Sequence, residues 1–400
     1  MFDKYQIPRE KIRQLEVLLA SQDIDGLLLV SREGGDPILP FLIGEDTVHL
    51  GAAFFMRDGH HIMIASQSDE KKFIPSGIFS QVLTYNKALE EVFVPVFDRL
   101  APKKLAINVS ETDIIADGLS YGLYLMLEKM LGRERLAAVE VSGEGLIREL
   151  CSVKSSTEID YLRQSIQLTN DIYDEVFSKV RCGMTEREIG DLFVAGMKTR
   201  DVCNGLGKPY DYPIVCIVRE GLAHRSPGDA KTRPGDILIM DFSVKYRGYI
   251  SDIARTAYFL QPGESSPPAE VQHAFETARS AITAVIDFIG QGKLGWEVDA
   301  VGRKVVEDGG YPTVRHSVGH PIGRRCHDIG TALSPRRADN MASCGRPIEC
   351  SEVYAIEPTV IQDGGLPCML VEENVVIRPE GAEVLSRRQM ELYLIGCTEE

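Results

Sequence analysis

Four carboxylates in this sequence are spaced as two hairpins would space them. Asp241 closes the apolar run Ile237 to Met240, and Asp252 lies in the strand-like run Tyr249 to Phe259, with Lys245-Tyr246-Arg247-Gly248 between. A turn centred between Tyr246 and Arg247 makes the two aspartates equidistant from the bend, and so opposite one another. Glu357, after Val353 to Ile356, and Glu372, in the run Leu370 to Ile377, are likewise equidistant from Gly364-Gly365, a dipeptide that supplies positive φ cheaply. Directly opposed side chains have Cβ atoms about 4.5–5.5 Å apart, and like charges there oppose the pairing. Two facing acid pairs beside apolar residues therefore ask for a cation. A slip of one residue would send a carboxylate to the wrong face, so the reading depends on register.

The second constellation is a histidine run. Three of the chain's eight histidines, His316, His320 and His327, fall in Pro312 to Asp328. The spacing predicts a strand on which His316, Val318 and His320 share one face, with His327 returning after a bend at Gly323. Glycines here permit close backbone approach, and imidazole serves both as a metal ligand and as a proton carrier. His224, in Ala223-His224-Arg225, carries no distinguishing pattern of its own. Four carboxylates with one imidazole form a hard, oxygen-rich ligand set, suited to Mn²⁺, Fe²⁺, Co²⁺ or Zn²⁺ rather than to a thiolate-type structural zinc. Two ions sharing carboxylates can acidify a water and polarise a carbonyl.

These residues must be held by elements, and the chain reads as two sets of them. Residues 1–150 alternate helix and strand: a helix from Lys11 to Ser21, then strands at Gly26 to Val30, Val48 to Met56, His61 to Ala65 and Lys104 to Val109. Such alternation predicts an α/β domain with a covered sheet, without a concentration of His and carboxylates. Residues 151–400 read as α+β. Ser155-x-x-Glu158 and Thr185-x-x-Glu188 are capping boxes opening helices to Lys179 and to about Thr199. Further helices follow Pro267-Pro268 and span Trp296 to Glu307, interleaved with the hairpins.

Composition narrows the function. A net charge of -15 and a pI near 5.1 give nothing that would displace counterions from phosphate, which excludes a nucleic-acid partner. Met1 to Arg13 is charged and lacks the apolar core of a signal peptide, and no apolar run has the length of a membrane span. The nine cysteines include no C-x-x-C pair, and reduced thiols in a cytoplasmic protein are expected.

The ordered motifs resemble the pita-bread metallopeptidase family, which includes aminopeptidase P, prolidase, methionine aminopeptidase and the related creatinase. They are His224, Pro234-Gly235-Asp236-x4-Asp241, Gly248-Tyr249-x-Ser251-Asp252-x2-Arg255-Thr256, His316-x3-His320-x2-Gly323-x3-His327-Asp328, Glu357-Pro358 and Glu372. The resemblance implies an α/β creatinase-type N-terminal domain over 1–150 and a pita-bread catalytic domain over 151–400. It implies two divalent ions, manganese first, with cobalt, iron or zinc as alternatives. Asp241 resembles the terminal ligand of one ion, Asp252 and Glu372 the bridging carboxylates, and His320 and Glu357 the ligands of the other ion. Glu357 also resembles the acid/base residue that handles the proton of a metal-bridging hydroxide. His224 and His327 are similar to the histidines that hold the substrate carbonyl, and His316 to a residue lining the substrate pocket.

What the resemblance implies is an Xaa-Pro aminopeptidase or Xaa-Pro dipeptidase (prolidase)-like hydrolase acting on a small peptide or peptide-like substrate, cytoplasmic and homodimeric. The departures touch substrate recognition. Leu370 stands where proline-specific members carry Arg, Arg324-Arg325 stand in the Gly-Leu-x-Val-His stretch, and Ala65-Ser66-Gln67-Ser68 replace an N-terminal Asp-x-Arg-Tyr. They open an alternative within the same fold, an enzyme acting on a small non-peptide substrate, ectoine hydrolase-like or dimethylsulfoniopropionate lyase-like. A non-catalytic binding module is a third class; such relatives usually lose ligands, and all five positions are filled here.

Overall fold

The computed structural model describes residues 3–111, 113–221, 225–364 and 366–397. The chain divides into two compact units, Met1–Cys151 and Ser152–Glu400. In the first, strands β1 (Gly26–Ser31), β2 (Gly51–Met56), β3 (Ile62–Ser66), β4 (Gln81–Tyr85), β5 (Leu105–Ile107) and β6 (Glu140–Ser142) form one sheet in the order β4-β3-β2-β1-β5-β6. It is mixed: β1 runs antiparallel to β2 and parallel to β5. Every residue of β1 and β2 is buried, which is why they read as unbroken apolar runs. The sequence reading missed β4 and β6. Both are edge strands, half exposed, and a half-exposed edge carries little apolar signal. The first helix starts at Gln6 rather than Lys11; Pro8 is tolerated because the amide it lacks would have no acceptor in the first turn.

The second unit opens with the helices Ser156–Lys179 and Glu186–Thr199. Both capping boxes are formed, with Ser155 and Thr185 hydroxyls accepting from the amides of Glu158 and Glu188. Helices Ala269–Phe288 and Gly295–Asp308 follow. A short sheet is built from β7 (Cys203–Asn204), β10 (Val244–Tyr246) and β11 (Tyr249–Ile250). Strands β8 (Ile214–Ile217), β9 (Ile237–Phe242), β12 (Ile253–Phe259) and β17 (Tyr393–Ile395) form a second sheet. Strands β13 (Gly319–Pro321), β14 (Val353–Ile356), β15 (Glu373–Arg378) and β16 (Gly381–Val384) form a third.

Alternation along the strands sorts side chains between two cores. Leu238, Met240 and Phe242 of β9, with Ile253, Ala257 and Phe259 of β12, pack with the first helix pair, through Ile172, Val176, Ile189 and Phe193. Ile237 and Ile239 point to the opposite face and join the core of the second pair, with Tyr354, Ile356, Val375 and Ile377. Asp241 follows Ile237 and Ile239 by period two, so it emerges on that inner face.

The two carboxylate hairpins differ from each other in how they meet expectation. Strands β9 and β12 pair as Phe242 with Ile253 and Asp241 with Ala254. The turn is therefore centred on Arg247-Gly248, whose φ values of 49° and 88° are those of a tight two-residue hairpin. Asp241 does not face Asp252 directly; the register sits two residues away from the expected one. A slip of two keeps both aspartates on one face, where a slip of one would have separated them. In the second hairpin, the pair Ile356–Glu373 and the bridge Val360–Met369 bracket Glu357 opposite Glu372, as the symmetric spacing predicts.

Candidate metal centre

Two connections bring the hairpins together. The Asn374 side chain accepts from the amide of Asp252 (3.1 Å) and donates to its carbonyl. The amide of Glu372 donates to the carbonyl of Ala254 (3.2 Å), and Arg255 Nη1 donates to the carbonyl of Glu372 (2.7 Å). The β12 backbone is thereby fixed to the start of β15, and Asp252 and Glu372 share one buried space. Strand β13 adds the imidazole: His320 pairs with Ala355, which pairs with Asn374, so all three lie on the face that also carries Glu357 and Glu372.

At the centre, His320 Nε2 lies 3.4 Å from Asp252 Oδ2, 3.8 Å from Glu357 Oε1 and 4.0 Å from Glu372 Oε1. His320 Nδ1 donates to the carbonyl of Pro321 (3.2 Å), which leaves Nε2 free of a proton when neutral and turned inward. Ligand atoms of Asp252, His320 and Glu372 lie within 4.8 Å of one another, a spacing that can hold an ion. Asp241 lines the same cavity of about 370 Å³, together with His316, His327 and Glu357.

Without a cation the charges conflict. Burial pushes Asp241 and Glu372 well above the usual carboxylate range, and their acidic neighbours push further in the same direction. Burial and Asp252 raise Glu357 to about 7, against the opposing pull of His320. Burial depresses His320, but Asp252 and Glu357 outweigh it and lift it to about 9. Asp252 alone is lowered, because hydrogen bonds from His320, Cys326 and Ser243 exceed the effect of its burial. Glu372 is 2% exposed, yet its Oε1 has no hydrogen-bond partner. A buried carboxylate oxygen with no hydrogen bond, in a set closed by Asp252 and His320, fits a divalent ion. The donor set is hard and oxygen-rich, as such an ion requires.

Several placements differ from the sequence reading. Strand β13 begins at Gly319, so His316 is not on a shared strand face with His320. Its ring is fixed instead by the Ser317 carbonyl (2.7 Å) and the Thr359 hydroxyl (2.9 Å), with Nδ1 3.9 Å from Glu357. His327 does return to the site, its ring centroid 4.4 Å from that of His320. The bend at Gly323 is needed: a Cβ there would sit 2.0 Å from Asp328 Oδ2, which forms a buried ion pair with Lys154 (3.1 Å). His224 lies outside the described residues. Arg324 and Arg325 do not line the cavity; both are exposed, and Arg324 lies over the Tyr249 ring.

The sequence reading passed over Ser243 and Cys326, which donate to Asp252 Oδ1 (2.9 Å) and Oδ2 (2.7 Å). The signals were faint: Ser243 stands two residues beyond Asp241, and Cys326 precedes His327. Of the walls, formed by Leu206, Ile214, Ile239, Ile361, Met369 and Leu370, it had singled out Leu370 and passed over the others. Among the described lining residues there is no Lys or Arg.

The family profile of metallopeptidase family M24 matches residues 160–379, more than half of the chain. The Xaa-Pro dipeptidase of Pyrococcus horikoshii is 23% identical over 392 residues, covering 96% of this chain and 99% of that protein. An uncharacterised peptidase of Bacillus subtilis is 22% identical, covering 96% and 100%. Among solved structures, the Xaa-Pro dipeptidase from Bacillus anthracis superposes with a TM-score of 0.71 at 21% identity, covering 97% of this chain and all of that one. The X-Pro aminopeptidase from Thermotoga maritima gives 0.71 at 21%, covering 96% and 99%. The carboxylate-rich cavity, the pita-bread architecture and the extent of the profile match agree: this chain belongs to metallopeptidase family M24, and is a metal-dependent hydrolase of that family.

Proposed function

We propose that the chain is an Xaa-Pro peptidase holding two divalent ions, manganese first, by Asp241, Asp252, His320, Glu357 and Glu372. The observation that carries this reading is the convergence of four carboxylates on one imidazole, with Glu372 Oε1 buried and unpartnered. The ions, when bound, would supply an acidified water and a polarised carbonyl. Glu357 is more open to the cavity than Asp252 or Glu372, its side chain 20% exposed against 7% and 3%, and it carries the proton from water to the leaving amine. His327, beside His320, and His224 hold the substrate carbonyl oxygen, and His316 lines the pocket. The apolar walls exclude water from the scissile bond and accept a neutral side chain.

The absence of a cation among the described lining residues bears on substrate size. With the ions bound, a dipeptide's carboxylate would still meet no Lys or Arg of that lining, and Arg225 in the adjoining cavity is engaged by Glu186 (2.7 Å), whereas in a longer peptide that carboxylate falls beyond the cavity. This favours aminopeptidase-type substrates over dipeptides. Leu370 in the wall keeps open a small neutral non-peptide substrate, and the exposed positions of Arg324 and Arg325 give no support to an anionic one. A cytoplasmic homodimer is proposed with this reading.

The test is metal analysis of the purified protein, followed by a panel of Xaa-Pro dipeptides and longer Xaa-Pro peptides. About two divalent ions per chain, with turnover of the longer peptides, is the expected outcome. Silence across the whole panel with metals bound would transfer the assignment to the non-peptide reading.

A further inference from the structure

We propose that Cys326 is a positioning residue of the metal centre, its thiol working with the Ser243 hydroxyl to fix the orientation of the Asp252 carboxylate. This rests on the metal-centre reading above. The Asp252 backbone is held at both its amide and its carbonyl by Asn374, so the freedom left to this residue is rotation of its side chain. Two donors on different oxygens remove that freedom: Ser243 Oγ on Oδ1 at 2.9 Å and Cys326 Sγ on Oδ2 at 2.7 Å. Both donors are buried, at 2% and 3% exposure. Oδ2 is also the oxygen facing His320 Nε2 at 3.4 Å, so the thiol grips the atom whose direction matters most to an ion.

A thiol is a weak donor, but hydrogen bonds to an ionised acceptor are roughly twice as strong as neutral ones. Among the described residues, the set whose ligand atoms close within 4.8 Å is Asp252, His320 and Glu372, and the thiol acts on the ion through Asp252 rather than as a member of that set. The unpartnered Glu372 Oε1 lines the same cavity and independently points to a bound cation there. Partners one step outside a metal shell commonly alter metal affinity by about 10–100-fold, and a mispositioned Asp252 carboxylate would weaken the hold of the set on an ion.

The experiment uses full-length protein stripped with a chelator and titrated calorimetrically with Mn²⁺ and with Co²⁺. Cys326→Val removes the donor and adds one carbon-sized group; Cys326→Ser keeps a donor of similar shape. Cys326→Val is expected to weaken Mn²⁺ binding about tenfold or more, and Cys326→Ser to recover most of that loss. Ser243→Ala, acting on the other oxygen, should weaken binding as well, and serves if Cys326→Val does not fold. Wild-type affinity in both Cys326→Val and Ser243→Ala would overturn the proposal, as would a Cys326→Ser protein no tighter than Cys326→Val. A sulfur-to-cobalt charge-transfer band in the Co²⁺-loaded wild type, absent from Cys326→Ser, would make the thiol a ligand and also overturn it. Wild-type protein that binds neither ion would sink the metal-centre reading itself, and this inference with it.

Discussion

At the scale of single residues, the centre is defined by groups that cannot satisfy one another. Asp252 is fully committed, with three side-chain donors on its carboxylate and its own amide and carbonyl both held by the Asn374 side chain, and it is the one acid of the cluster whose proton affinity is lowered. Glu372 is its opposite, buried beside it and holding an oxygen with no partner. That asymmetry makes Glu372 the informative position to change. Glu372→Ala should lose bound metal and activity together. The activity loss should exceed about a hundredfold, since even groups outside a metal shell cost 10–100-fold. Elemental analysis of the purified variant alongside peptide turnover checks this, and retention of both would remove Glu372 from the ligand set.

At the scale of elements, hairpins present the carboxylates, and tight turns set which residues face which. The Arg247-Gly248 turn moves the first pairing by two residues and still keeps Asp241 and Asp252 on the inner face. The second hairpin has the symmetric register that its Gly364-Gly365 centre implies, although Gly365 lies outside the described residues. What joins the hairpins is narrower than either of them: Asn374 spans to Asp252, and Glu372 to Ala254. Asn374 is 0% exposed, so Asn374→Ala would strand the amide and carbonyl of Asp252 in the interior. Each such group costs about 1–3 kcal/mol, and the metal-loaded protein should lose about 2 kcal/mol or more in urea unfolding. It should also bind Mn²⁺ more weakly. A variant unfolding at the wild-type midpoint with unchanged metal affinity would show that the joint does not depend on Asn374.

At the scale of the whole molecule, the metal centre couples stability to pH. In the metal-free chain Glu357 is raised from 4.5 to about 7 and His320 from 6.5 to about 9. In both, the folded state binds more protons than the unfolded state: for Glu357 between pH 4.5 and about 7, for His320 between 6.5 and about 9. Stability contributed by these groups is present at low pH and is lost as pH rises through the folded values. Chelator-stripped protein should therefore unfold at lower temperature at pH 8.5 than at pH 6. Metal binding needs the same groups deprotonated, so Mn²⁺ should reverse the trend and give a larger gain at pH 8.5. At a hundredfold excess over Kd the gain is about 2.7 kcal/mol. A metal-free midpoint that rises between pH 6 and 8.5 would contradict the proton assignment. Among the described residues no helix is long and apolar enough to cross a membrane, and no two of the nine cysteines are joined in a disulfide.

The sequence by itself determined what local chemistry can encode. Capping boxes at Ser155 and Thr185 start their helices where they should, because the bonds they need reach only three residues along the chain. Alternation settled which face each carboxylate takes, because side-chain direction along a strand has period two whatever the strand packs against. The types of the ligands, and hence the hardness of the ion they suit, were equally legible. Tertiary structure alone decided what depends on groups distant in the chain. Cys326 reaches Asp252 across 74 positions and Asn374 reaches it across 122, and no periodicity connects such partners. The same holds for the walls: Leu370 and Ile239 become neighbours only when two sheets close on one cavity. Arg324 and Arg325, adjacent in sequence to the site, are turned out of it by a bend that Lys154 and Asp328 hold in place. Proximity along the chain fixed which acids share a hairpin; the path of the backbone through the closed fold brought the hairpins and His320 together and fixed the pocket.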